Sequence, residues 1–388
     1  MKFTCLQDNL SKGLGIVSRA VSARSTLPVL GNILLATDNA QIRLSATNLE
    51  LAVTCWIGAK IEDEGSVTLP AKTLVDLVNT LPGEPVSLAL TARTQTVNLN
   101  CGRIKASIKG IDAQEFPSIP PADLDKSIQL NVEDLRSMIQ SVIFAAATDE
   151  TRPVLTGVLA RLEGNRFVLA ASDGFPASDG FRVAERTAYL SSPVVDPITA
   201  VIPARALAEL ARIIDPEQPV YMQLPPGRGQ VIFHNGTVEL VAQVELVAQL
   251  IEGAFPVYQG IIPKSYRTRT VVGTDEFRKA CRSSDIIARE AAHTTRLKIK
   301  PGEELTPGHV TISATAAETG DNVADLDATI EGDAVEIAFN VKYLVDVLGI
   351  IDTPNVALET AGATSPGVIK PVGRDDYLYI VMPMHLGK

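Results

Sequence analysis

The sequence has 388 residues, 46% hydrophobic and 21% charged, with a formal net charge of −10. That length predicts two or three domains with cores of their own, and that composition is ordinary for a globular protein. The acidic sum argues against a surface coated in cations for tight nucleic-acid binding, although a sum cannot say where the lysines and arginines stand.

In chain order, the first predicted helix carries Leu10, Leu14, Val17 and Val21 on one stripe, with Asp8 at its start. Strands follow over 32–36 and 41–46, separated by the Asp38-Asn39 turn signal. A second helix opens at Leu69-Pro70-Ala71-Lys72-Thr73-Leu74 and continues through Leu77, Val78 and Leu81. Past a Pro82-Gly83 turn, read as sitting at hairpin spacing, strands are predicted over 86–90 and 96–100. Phe116-Pro117-Ser118-Ile119-Pro120 then interrupts the pattern, as a proline-bearing linker does.

The same order begins again. Glu133-Asp134 precede a helix with Leu135, Met138, Ile139 and Val142 on one face. After Glu163-Gly164-Asn165 comes a strand over 166–170. Ile202-Pro203-Ala204-Arg205-Ala206-Leu207 opens the next helix, continued by Leu210, Ala211 and Ile214. A strand over 231–234 ends at Asn235-Gly236, and the copy closes in Phe255-Pro256…Ile262-Pro263. The third pass starts at Asp275-Glu276 with a weaker stripe of Phe277, Ala280, Cys281 and Ser284. Its later helix opens at Phe339-Asn340-Val341-Lys342-Tyr343-Leu344 and runs through Val347, Leu348 and Ile351.

Leu74, Leu207 and Leu344 each head an i, i+3, i+4, i+7 apolar face and stand 133 and 137 residues apart. Three such matches at a near-constant period mark an internal repeat. The expected architecture is α+β: three tandem copies of two helices against antiparallel sheet, over 1–123, 124–263 and 264–388.

Lys72, Arg205 and Lys342 each stand two positions before the leading leucine. At ~100° per residue that is the side away from the apolar stripe. Lys12 and Arg19 in the first copy, Arg136 in the second, and Arg278, Lys279 and Arg282 in the third also sit away from theirs. Solvation alone explains a basic residue on one helix, but recurrence at one repeat position points to a shared positive surface for a polyanion.

Arg19-Ala20-Val21-Ser22, Thr26-Leu27-Pro28-Val29-Leu30-Gly31-Asn32, Ala46-Thr47-Asn48-Leu49-Glu50-Leu51, Leu69-Pro70-Ala71-Lys72, Glu115-Phe116-Pro117 and the terminal Tyr379-Ile380-Val381-Met382-Pro383-Met384-His385-Leu386 resemble the bacterial sliding clamp family, the beta subunits of DNA polymerase III. The resemblance spans the chain. It implies a head-to-tail homodimer closed into a ring, with helices facing a hole and duplex DNA passing through, held at phosphates without sequence readout. It implies a cytoplasmic processivity factor with no active site, cofactor or metal of its own. Its partners would be the replicative polymerase, a clamp-loader ATPase and other proteins carrying short hydrophobic motifs.

Matched residue by residue, the family's partner pocket corresponds here to Leu155, Gly180, Phe181, Arg182, Val183, Pro256, Ile261, Asn340, Tyr343, Val381, Met382, Pro383 and Met384. Methionine and aliphatic side chains suit an adaptable apolar slot. Arg24 and Arg152 match further DNA contacts, and Ile108, Ile286 and Ile287 match the dimer seam. Two departures stand out. Residues 172–177 are nearly repeated as 178–183, and 238–243 are repeated unchanged as 244–249. An even insertion preserves strand facing but shifts register, which a bulge or loop must absorb. Gly260 and Ala292 stand where many members carry larger side chains, which implies a shallower pocket.

Other classes are poorly supported. Gly13-Leu14-Gly15-Ile16-Val17-Ser18 lacks the third glycine and the preceding strand of a dinucleotide loop. His234, His293, His309 and His385 are isolated, and Asp173 and Asp179 read as turn residues rather than a catalytic pair. Cys5, Cys55, Cys101 and Cys281 form no CxxC pair, which suits a reducing compartment. No apolar run approaches the roughly 20 residues of a membrane span, and Met1-Lys2-Phe3-Thr4-Cys5 lacks the apolar core of a signal peptide. A scaffold that binds only proteins would explain the repeats but not the recurring cation.

Overall fold

A computed structural model describes the chain except at residues 23–26, 175–180, 226, 228, 237–241, 304–305 and 386–388, and without the side chains of 242–247. Among the described residues there are six α-helices: α1 (Gln7–Val17), α2 (Ala71–Asn79), α3 (Val132–Val142), α4 (Ala204–Ile213), α5 (Thr274–Ala288) and α6 (Val341–Leu348). They are the helix pairs expected from the repeat.

The helices α2, α4 and α6 start directly off the strands Ser66–Pro70, Ile198–Pro203 and Val335–Asn340. Proline at the last strand position cannot donate to a ladder and so suits the switch to helix. Asn340 replaces it in the third copy and caps α6, its side chain accepting from the Lys342 N–H at 3.0 Å. Leu74, Val78, Leu207, Leu210, Leu344, Val347 and Leu348 are buried, each contributing about 1.5–3 kcal/mol. Leu81, Ile214 and Ile351 are buried too, but just past the helix ends. Asp8, Glu133, Asp134, Asp275 and Glu276 occupy the first turns of α1, α3 and α5, where the helix dipole favours negative charge.

The predicted strands all form, slightly lengthened: Asn32–Asp38, Gln41–Thr47, Pro85–Thr91, Thr96–Cys101, Arg166–Ser172 and Gln230–Asn235. Asn39, at φ 53°, makes the tight turn between the first two. The Pro82-Gly83 expectation is corrected. That turn joins α2 to the strand Pro85–Thr91 instead of two strands, because the helix unwinds through Leu81, whose N–H bonds the Val78 carbonyl.

Among the described residues the strands form antiparallel sheets of five, eight and twelve strands. In the eight-stranded sheet Ala242–Gln249 pairs on one side with Gln230–Asn235 and on the other with Leu51–Gly58, a strand of the first copy. In the twelve-stranded sheet Arg182–Tyr189 pairs with Arg166–Ser172 and with Tyr377–Val381 of the third copy. Hydrogen-bond ladders therefore run across the repeat borders. As a result the chain divides into two compact units, Met1–Leu135 with Arg205–Leu250, and Arg136–Ala204 with Ile251–Lys388. The middle copy contributes strands to both.

Within the first unit α1 and α2 lie side by side, the Gln7 amide donating to the Val78 carbonyl at 2.8 Å and the Ser11 hydroxyl to the Asn79 side chain at 2.7 Å. Leu10, Leu14 and Val17 seal the contact with the sheet. Within the second unit α5 packs on α6, Phe277 and Cys281 of α5 and Leu344 of α6 are buried, and the buried Ser284 shares a hydrogen bond with Thr295. All four cysteines are buried and unbridged. Burial alone pushes the Cys5 and Cys55 thiols up to about 12, which leaves them unreactive. No described helix is long and apolar enough to cross a membrane.

Candidate partner pocket and basic helix faces

Lys72, Arg205 and Lys342 are the second residues of α2, α4 and α6, and all three are exposed. Lys12 is exposed on α1, the neighbour of α2, and Arg19 is exposed in the turn after it. Arg19 pairs with Glu209 of α4 at 3.1 Å, so part of its charge is already met within the first unit. Arg136 on α3 is half-buried and Arg152, just before Pro153, is exposed; each has a partner within the chain. On α5, Lys279 and Arg282 are exposed, while Arg278 is half-buried and bonds Asp275 one turn earlier. Arg24 lies outside the described residues.

The residues expected to form the partner pocket fall in the second unit. Arg182 pairs with Val381 and Val183 with Ile380 at one end of the ladder between their strands, and the Met382 N–H donates to the Phe181 carbonyl at 2.9 Å. The chain then leaves the sheet: the Met384 N–H bonds the Ala338 carbonyl at 2.8 Å, and its sulfur accepts from the Thr294 hydroxyl at 3.5 Å. Phe181, Val183 and Tyr258 share one buried cluster, with Ile261 and Met382 packed against it. Leu155 and Val381 are fully buried. Pro256, Asn340, Tyr343, Pro383 and Met384 are half-buried and so remain partly accessible. Gly180 lies outside the described residues. A Cβ on Gly260 would meet only open space, and Ala292 is exposed at φ 53° beyond α5.

Arg182 is held entirely by its own chain. Its Nε donates to Asp173 at 3.0 Å, one terminal nitrogen to Asp346 at 2.5 Å and the other to the Phe144 carbonyl at 2.6 Å. Its guanidinium lies 4.3 Å from the Tyr343 ring centroid. Burial, then the charge and hydrogen bond of Asp173, hold the Tyr343 phenol up at about 12, so it stays neutral. Arg182 thus braces its own strand against helix α6 and the segment at Phe144.

The sequence reading missed this brace. Asp173 reads as a turn residue there, and Asp346 and Phe144 carry no signal, because both come from distant chain segments. Asp173 belongs to the first of the two near-identical segments; Ser172 likewise donates to the Arg182 carbonyl at 2.9 Å. Deleting 172–177 splices Ser178-Asp179-Gly180-Phe181 onto Ala171 and offers Arg182 the same serine and aspartate. Equal or tighter binding of a short hydrophobic peptide is expected, measured by fluorescence anisotropy. Loss of binding would show that the first segment is indispensable. In the other duplication, the second segment pairs along its whole length, Val244 opposite Asn235 through Gln249 opposite Gln230. Residues 238–241 of its first segment lie outside the described residues.

Of the positions expected at a dimer seam, Ile108 is buried on Ile104–Lys109, one of the two edge strands of the five-stranded sheet among the described residues, so what that strand presents outward is its open backbone edge. On α5, Ile286 is 64% exposed, a large apolar side chain in water, and Ile287 is half-buried.

Three family models match in tandem: the DNA polymerase III beta subunit N-terminal domain over 1–120, its central domain over 129–257 and its C-terminal domain over 259–385. The beta sliding clamp of Synechocystis sp. is 31% identical over 402 residues, covering 100% of both chains. That of Staphylococcus aureus is 30% identical over 99% of each. Among solved structures, the DNA polymerase sliding clamp of Bacillus subtilis superposes with a TM-score of 0.91 at 27% identity, and the DNA polymerase III beta subunit of Pseudomonas aeruginosa with 0.88 at 26%, each covering 100% of both chains. Three matched domains, full-length relatives and full-length structural likeness agree: the chain belongs to the DNA polymerase III beta subunit family, the bacterial sliding clamps.

Proposed function

We propose that two copies of this chain close head to tail around duplex DNA, slide along it without reading its sequence, and tether the replicative polymerase. The chain is a processivity factor and catalyses nothing itself. The observation that carries the DNA contact is the exposed cation at the second position of α2, α4 and α6. A topologically held ring needs only loose electrostatic contact with phosphates, which reconciles these residues with a net charge of −10. Lys12, Arg19, Arg24, Arg136, Arg152, Arg278, Lys279 and Arg282 are proposed to add to that contact.

The open edge of Ile104–Lys109 and the exposed Ile286 support a seam between copies. Three domains bounded at 1–123, 124–263 and 264–388 are part of this reading. So are cytoplasmic residence, a clamp-loader ATPase to open the ring, and partners whose short hydrophobic motifs occupy the Met382–Met384 rim.

The expected result is retention on nicked circular DNA through a high-salt wash, with release when the circle is cut. Lys72→Glu, Arg205→Glu and Lys342→Glu together should reduce loading while leaving the thermal midpoint nearly unchanged, since exposed substitutions stay within about 0.5 kcal/mol each. Equal salt-dependent release from circles and linear DNA would mean ordinary electrostatic binding, and unimpaired loading of the triple variant would mean that these helices do not face DNA.

A further inference from the structure

The first copy carries a cavity of about 330 Å³ between its sheet and the connector at 116–121, bordered by Leu34, Arg43, Ser45, Thr54, Trp56 and Ile119. Strand registers equate it with a filled place in the second copy. Asn32 pairs with Pro70 and Gly157 with Pro203, the prolines that precede the repeated helices. Counting on, Leu34 opposite Ser45 corresponds to Leu159 opposite Ala170. Thr54 opposite Ser45 corresponds to Glu185 opposite Ala170.

In the second copy Tyr258 fills this place. It is 1% exposed, packs with Leu159 and Ala170, and donates its hydroxyl proton to Glu185. Tyr258 is the fourth residue of Phe255-Pro256-Val257-Tyr258. The fourth residue of Phe116-Pro117-Ser118-Ile119 is Ile119, which has neither the ring nor the hydroxyl. The socket beneath the first connector is left open.

Its chemistry is also inverted. Where the second copy has Val168, opposite Thr187, the first has Arg43, opposite Trp56. The Arg43 Nε is shut off from solvent and has no hydrogen-bond partner among the described residues. The Nε itself is closed to an incoming group, but the Arg43 side chain is only half-buried and borders the cavity, and a carboxylate is the acceptor that a guanidinium bonds most strongly. The hydroxyls of Ser45 and Thr54 bond each other at 3.0 Å, and the Trp56 indole N–H donates to Asp38 at 2.9 Å, which fixes the ring at the cavity wall. Residues 117–120 also line a second, smaller pocket of about 140 Å³, bordered by Thr47, Leu49 and Gln249. That gives an extended chain somewhere to run.

We propose that this socket docks a segment of a partner protein presenting an aromatic side chain beside a carboxylate. The ring takes the space that Tyr258 fills in the second copy, and the carboxylate meets Arg43. The site is separate from the Met382–Met384 rim and does not depend on the clamp reading.

Trp56 is the chain's one tryptophan, so its emission reads the socket directly. The probe is the peptide acetyl-Ala-Asp-Phe-Ala-amide, titrated into the full-length protein, with Asn in place of Asp as the control. A saturable change in Trp56 emission is expected, with the control binding roughly tenfold more weakly, as loss of a charge-assisted hydrogen bond predicts. Arg43→Gln should bring the two peptides to equal affinity. Ile119→Tyr, which plugs the socket from the chain's own connector, should abolish both signals. No saturation with the Asp-Phe peptide overturns the proposal, and so does saturation that Arg43→Gln leaves unchanged. The glutamine variant alone decides the matter if the tyrosine variant does not fold.

Discussion

Arg182→Ala is expected to destabilise the second unit by about 3–5 kcal/mol, the range for removing one partner of a buried charge pair. The arginine side chain is only 10% exposed and Asp173 15%, so water screens this pair little. Truncation leaves Asp173 and Asp346 facing each other without their cation, and the Phe144 carbonyl without its donor. The second unit holds no tryptophan, so hydrogen exchange of strands Arg182–Tyr189 and Tyr377–Val381 is the suitable measurement. Faster exchange should be confined to that unit. Arg182→Lys should recover only part of the loss, since an ammonium cannot reach three acceptors in a planar fork. Unchanged exchange in the alanine variant would mean that the brace adds nothing to stability.

Met382→Ala with Met384→Ala is expected to weaken binding of a Gln-Leu-x-Leu-Phe-like peptide by at least ~30-fold. A few apolar anchors dominate such interfaces, and losing one costs about 2 kcal/mol or more. Met382 packs against the Phe181 cluster and Met384 is tied to Thr294, so the two flank the rim at different points. Dimer mass and retention on circular DNA should be unaffected. Fluorescence anisotropy with a labelled peptide measures the first, and native mass the second. Normal peptide affinity in the double variant would place the pocket elsewhere.

Much of this is legible in the sequence, for identifiable reasons. The repeated helices announce themselves because a 3.6-residue period and a cation two places before a leucine are local patterns, and local patterns survive folding. Strand positions were readable too, since alternation and turn residues act within a few positions of one another. The Arg182 brace was not, because Asp346 lies 164 residues away and only the paired strands bring it near. Ladders joining one copy to the next were equally hidden: nothing in the residues of Arg182–Tyr189 names Tyr377–Val381 as its neighbour. The open socket lies between these cases. Ile119 against Tyr258 is visible in the sequence, yet its meaning appears only once registers show what each residue covers.

The ladder between Arg182–Tyr189 and Tyr377–Val381 has a consequence for synthesis. Tyr377 is the 188th residue that a ribosome adds after Tyr189. At about 5–20 residues per second that is roughly 10–40 s, during which a growing chain carries a bare β-edge. An unpaired edge is a template for any other strand, including the same edge on a neighbouring nascent chain of the same polysome. Arg182, Glu185 and Arg186 place charges of both signs along it. Once paired, Arg186 bonds Asp376 at 3.0 Å, beside the arriving strand. Before then, those desolvation-averse side chains make premature pairing with an apolar strand unfavourable, and they hold the place open for the last strand made.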